Sequence, residues 1–124
     1  MTRTIFLIAA ACLAAGVIIG AFGAHGLKTK LSPEMMQVYK TGVEYHFYHA
    51  IGLLVVGVLS IHYPSVTLSL SALFLFLGIL IFSGSLYLLA LTGIKWLGAI
   101  TPIGGLSFIA GWLFLFGAFW RNFP

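Results

Sequence analysis

Apolar residues run almost unbroken through four stretches of this chain, at residues 4–24, 43–63, 66–91 and 97–119. The period-two alternation of a half-buried strand is missing from all four. At 1.5 Å per residue each stretch is long enough to cross a hydrocarbon core of about 30 Å. In lipid the backbone must pair its own amides, so helices are predicted. The expected fold is an all-α integral membrane protein: a four-transmembrane-helix bundle in a single domain, residues 1–124, with a short amphipathic helix between the first and second spans.

That amphipathic segment, about 33–45, opens at Ser32-Pro33-Glu34, with Ser32 as N-cap and Pro33 in the first position. Met36, Tyr39, Val43, Phe47 and Ala50 follow at helical spacing, while Gln37, Lys40, Thr41 and Glu44 take the other side. The pattern fits a helix running straight into the second span, or an interfacial helix joined to it at Gly42. His62-Tyr63-Pro64-Ser65 is a tight link that makes the second and third spans antiparallel neighbours, and Gly93 is the expected stop of the third. Pro102 costs little if it falls within the first turn of the fourth helix. The first stretch has features of a cleaved signal, with Arg3 ahead of an apolar core and Cys12 after Ala9-Ala10-Ala11. Its 21 nearly uninterrupted positions favour a retained helix.

Composition narrows the solvent. Charged residues make up only 6%, hydrophobic residues 61%, and mean hydropathy is +1.14. Soluble domains are about 25% charged, so the lipid bilayer is the expected partner. The net charge of +4 sits between or beyond the apolar runs, with no basic face interleaved with aromatics, and nucleic acid is excluded as a partner. Lys28, Lys30, Lys40 and Lys95 fall in the first and third connections, against Arg3 and Arg121 on the other side. The positive-inside rule then places both termini outside the cytoplasm. Cys12 is the sole cysteine and cannot form an intramolecular disulfide.

Small residues form two seams. Ala9, Cys12, Gly16, Gly20 and Gly23 share a face of the first helix, as do Gly104, Ser107, Gly111 and Ala118 on the fourth. Such seams permit close backbone approach in lipid. Packing within one bundle is the first reading, and a homo-oligomer interface the second.

Polar residues within spans are costly and often functional. His25 ends the first span, and Glu44, Tyr45, His46 and His49 open the second. As an interfacial cluster they would fix the bundle. They could also relay a proton, or hold a transition metal through His25 and His49. No HExxH, CxxC or EF-hand spacing is present, so no cofactor is expected beyond that metal alternative. Ser83, Ser85 and Tyr87 in the third span suit helix–helix hydrogen bonds, since no activating base stands beside either serine in sequence.

Gly20-Ala21-Phe22-Gly23-Ala24-His25-Gly26-Leu27, Tyr45 with His49-Ala50, Phe82-Ser83-Gly84-Ser85-Leu86-Tyr87, Thr101-Pro102-Ile103-Gly104-Gly105 and Gly111-Trp112 occur in that order. With them the chain resembles the bacterial inner-membrane family of the YgdD and YwdK type, domain of unknown function 423. Cys12 and His46 match no motif of it. The resemblance implies a polytopic inner-membrane protein of about this size and marks His25, Tyr45, His49, Ser83, Tyr87 and Pro102 as motif positions. It implies no reaction, substrate or cofactor. The expected role is structural or interactive, as a self-associating bundle or a component of a membrane complex. The alternatives are a small ion, proton or solute transporter acting as a homo-oligomer, or a metal-binding protein using His25 and His49.

Overall fold

The computed structural model describes residues 1–122. Helix α1 is Thr2–His25 and α2 is Pro33–His62. The third span, Val66–Thr92, joins α3 (Val66–Gly78), one π-helical turn (Ile79–Ser83) and α4 (Gly84–Thr92). A 3₁₀ helix, Lys95–Ala99, leads into α5, Thr101–Asn122. Four helices are thus long and apolar enough to cross a membrane, and there is no strand among the described residues.

The caps follow from the sequence. Ser32 Oγ accepts from the Met35 amide at 3.2 Å, and Ser65 Oγ from the Leu68 amide at 3.2 Å, each pairing an amide that the first turn leaves open. Gly93 ends α4 in the left-handed region, φ 71°, where a side chain would be strained. Pro102 falls in the first turn of α5, where no donor is missed.

Between the two arrangements open for residues 33–45, the protein has the continuous one. The amphipathic segment is the N-terminal part of α2 rather than a separate helix lying on the membrane. Its apolar side is already covered, because Tyr39 is buried in a cluster with Leu27 and Ala90. The Tyr39 hydroxyl donates to the Ile19 carbonyl at 2.5 Å. Thirty residues make α2 about 45 Å long, more than the hydrocarbon core needs.

Helices α1 and α2 are antiparallel in a register set by glycines. Gly23 lies under the Tyr39 ring, Gly20 faces Val43, Gly16 faces Phe47, and Gly57 faces Ile5 and Phe6. The second seam joins the third span to α5 and is tighter. A Cβ on Gly104 would collide with the backbone of Phe82, in the π turn. One on Gly111 would stand 2.8 Å from the Leu75 side chain and 3.1 Å from its backbone nitrogen. Two hydrogen bonds close the same interface in opposite directions, Ser71 Oγ to the Gly111 carbonyl at 2.8 Å and Ser107 Oγ to the Phe74 carbonyl at 2.7 Å.

Gly104→Ala is expected to cost about 1–3 kcal/mol, the usual penalty of overpacking, because backbone rather than a movable side chain stands in the way. Gly117→Ala meets nothing within 4 Å and should be neutral or slightly stabilising. Thermal unfolding in detergent reads both, and equal melting of the two variants would contradict the assigned interface.

Candidate functional site

His46 is the buried polar hub of the bundle. Its Nε2 lies 2.7 Å from the Cys12 carbonyl on α1 and its Nδ1 2.9 Å from the Tyr87 hydroxyl on α4. A carbonyl only accepts, so Nε2 carries the proton and donates to Cys12; the neutral ring then accepts from Tyr87 at Nδ1. One side chain of α2 thereby ties the first span to the third. One helical turn before Tyr87, the buried Ser83 donates its hydroxyl to the Gly42 carbonyl at 2.7 Å. The π turn ends at Ser83.

His49 is buried on another side of α2. Its ring stacks on Phe108 of α5, centroids 3.4 Å apart and planes 11° from parallel, with Tyr45 and Trp112 rings at 5.9 and 5.8 Å. Nδ1–H donates to the Tyr45 carbonyl at 2.6 Å. This nitrogen takes the proton, leaving Nε2 as an acceptor with no hydrogen-bond partner among the described residues. No buried side-chain nitrogen or oxygen among those residues lacks a partner, so Nε2 reaches the bundle surface between α2 and α5.

The five residues His25, Glu44, Tyr45, His46 and His49 therefore share no single centre. His25 and Glu44 are exposed, and Glu44 lines a small cleft with Lys40, Gly20 and Gly23. Three residues apart on α2, His46 and His49 are about 60° from each other, but they turn to different partners: both His46 ring nitrogens are bonded, to Cys12 and Tyr87, while His49 bonds the Tyr45 carbonyl and stacks on Phe108. His25 and His49 are further apart still. Gly23 is level with Tyr39, which sets His49 about 15–18 Å along α2 from the level of His25, whereas metal–nitrogen bonds are about 2 Å. Among the described residues no three His, Cys, Asp or Glu side chains come together to hold a metal ion.

Ser83, Ser85 and Tyr87 all bond across helices. Ser85 Oγ donates to the Phe82 carbonyl at 2.9 Å and pairs with Thr101 Oγ1 of α5 at 2.6 Å. Sequence reasoning missed Ser71, whose place in an unbroken apolar run carries no periodic signal. It placed Cys12 in the packing seam but missed the backbone carbonyl there, which accepts from His46.

A cleft opens sideways between the first and third spans. It encloses about 390 Å³ and is lined by Ala11, Cys12 and Ala15 on one side and Ile79, Gly84 and Tyr87 on the other, with His46 among its lining residues. A second cleft of about 260 Å³ lies nearer the N-terminus, around Ile5, Ser69 and Leu73.

These features define a polytopic α-helical membrane protein whose internal polar groups tie its helices to one another. Residues 19–105 match the family described as "Protein of unknown function (DUF423)", and the chain belongs to that family. A UPF0382 membrane protein of Staphylococcus haemolyticus is 51% identical over 113 residues, 91% of this chain and 92% of the relative. One from Staphylococcus epidermidis is 53% identical over 96 residues, 77% and 78% of the two chains. The UPF0382 membrane protein YwdK of Bacillus subtilis is 48% identical over 106 residues, 85% of each chain. No solved structure matches the chain.

A double-mutant cycle of His46→Phe and Tyr87→Phe should show a coupling of about 0.6–1.7 kcal/mol, the range for hydrogen bonds between membrane helices. Denaturation in mixed detergent micelles measures it. A coupling indistinguishable from zero would remove the His46–Tyr87 bond from this account.

Proposed function

We propose that this protein is a non-enzymatic bundle of the bacterial cytoplasmic (inner) membrane that works through lateral contacts, as a self-associating unit or a component of a membrane complex. The observation that carries the reading is the use of the polar groups inside the spans. His46, Ser71, Ser83, Ser107 and Tyr39 each donate to a carbonyl of a facing helix, so none of them has a proton free for chemistry. The clefts beside α1 around Cys12 and around Ile5 are walled mainly by apolar side chains.

Transport is the second reading. It needs a polar cavity at mid-depth, which four helices would have to build by associating, and the unpartnered His49 Nε2 between α2 and α5 is what favours it. Counting subunits by single-molecule photobleaching in liposomes tests the first reading. Two or more copies per particle at high dilution in lipid are expected. A monomer at every dilution would remove self-association, and saturable solute or proton flux through the associated form in the same liposomes would replace a structural role with transport.

Lys28, Lys30, Lys40 and Lys95, all exposed, lie at the end of the bundle opposite Arg3 and Arg121 and support a proposed orientation. By the positive-inside rule the proposed topology has both termini outside the cytoplasm. A C-terminal alkaline phosphatase fusion should be active and a C-terminal fluorescent-protein fusion dark; the reverse pattern would invert the topology.

A further inference from the structure

His49 is a buried polar side chain that keeps an acceptor open. It is only 6% exposed, with Nδ1–H held by the Tyr45 carbonyl and Nε2 unbonded at the surface between α2 and α5. Its depth follows from its neighbours. Phe108, stacked on the ring, and Trp112 beside it lie in the middle third of α5. One turn back on α2, His46 reaches the Cys12 carbonyl in the middle third of α1. His49 therefore stands near the bilayer midplane, roughly 10–15 Å from the headgroups of either leaflet.

That depth decides what can complete the nitrogen. Acyl chains carry no donor, and the polar parts of a lipid, with their water, stay at the boundaries. A donor at mid-depth has to come from another polypeptide span. The face that carries His49 also carries such donors. Tyr45, Tyr48 and Trp112 are exposed there, and neither hydroxyl nor the indole N–H has a hydrogen-bond partner among the described residues.

An open acceptor and open donors on one face make that face complementary to itself. In a pair of copies related by a two-fold axis along the membrane normal, every residue keeps its depth. Each contact is then made twice, once in each direction. Tyr48 is the best-placed donor. It precedes His49 in the chain, so the two differ by about 1.5 Å in height, and at 59% it is the most exposed of the three.

We propose that a second copy of this chain docks on the α2–α5 face, with the Tyr48 hydroxyl of each copy donating to His49 Nε2 of the other. The proposal rests on self-association as the protein's mode of action and adds the surface and the bonds through which it occurs.

The test uses the full-length Cys12→Ala chain, which keeps the backbone carbonyl that His46 bonds, in phosphatidylcholine liposomes. A single cysteine is introduced as Ile51→Cys, one turn after Tyr48, or as Val17→Cys on α1; both native side chains are exposed. A short lipid-soluble bismaleimide should link Ile51→Cys into covalent dimers and leave Val17→Cys monomeric. Without the cross-linker, subunit counting over a lipid dilution series reads the strength of the pair. Tyr48→Phe should weaken it about eight-fold, the loss of two hydrogen bonds of average strength between membrane helices. His49→Phe should weaken it equally and the double variant no further, because either change removes the same two bonds. Tyr48 is exposed, so Tyr48→Phe decides the matter if His49→Phe fails to fold. Dimers linked through Val17→Cys but not Ile51→Cys, or undiminished in Tyr48→Phe, would overturn this interface and leave self-association standing. Monomers at every dilution, with no cross-linking at either position, would overturn both.

Discussion

Between helices in hydrocarbon the force that assembles soluble proteins is missing, since lipid tails solvate leucine as well as another helix does. What remains is close packing and the hydrogen bond, and this protein uses one form of the bond repeatedly. A side chain of one span donates to a main-chain carbonyl of another: Thr2 to Ser60, Tyr39 to Ile19, His46 to Cys12, Ser83 to Gly42, Ser71 to Gly111 and Ser107 to Phe74. A helical carbonyl has a second lone pair after its own i+4 bond is made. The donor is therefore satisfied without breaking either helix. Each bond is worth about a kilocalorie or less in this medium, but together they fix which faces meet and at what height.

The glycines make those bonds reachable. Gly104 and Gly111 let the third span approach α5 closely enough for Ser71 and Ser107 to cross in opposite directions. Gly42 both supplies the carbonyl that Ser83 reaches and leaves room for the Tyr87 ring, whose edge carbon lies 2.8 Å from where a Cβ would stand. The π turn belongs to the same arrangement. By inserting a residue into the third span it brings the Phe82 backbone against Gly104 while Ser83 faces α2. π turns often mark functional positions; this one supplies Ile79 and Leu80 to the wall of the lateral groove.

The four spans were legible because hydropathy and length are one-dimensional properties, and so were the caps at Ser32 and Gly93, which depend only on neighbouring residues. Continuity of α2 was not decidable from sequence, because an amphipathic face looks the same whether lipid headgroups or other helices cover it. Only the position of Tyr39 between Leu27 and Ala90 tells them apart. The polar residues were visible as types and misleading as a group. His25, Glu44, Tyr45, His46 and His49 are close along the chain, yet the side of α2 each one occupies separates them. His46 proved central to the hydrogen-bonding despite matching no family motif, for its partners are a carbonyl and a tyrosine 34 and 41 residues away.

This division of labour bears on where activity can reside. A polar group already bonded to a carbonyl is a poor nucleophile and a poor proton carrier, because using it means breaking a contact that holds two spans in register. The groups without such ties lie elsewhere: the exposed lysines at one end, and His49 Nε2 at the α2–α5 boundary. On the proposed reading such a chain would meet partners from within the membrane, where specificity would come from the shape of small-residue surfaces and from single hydrogen bonds that no water competes with.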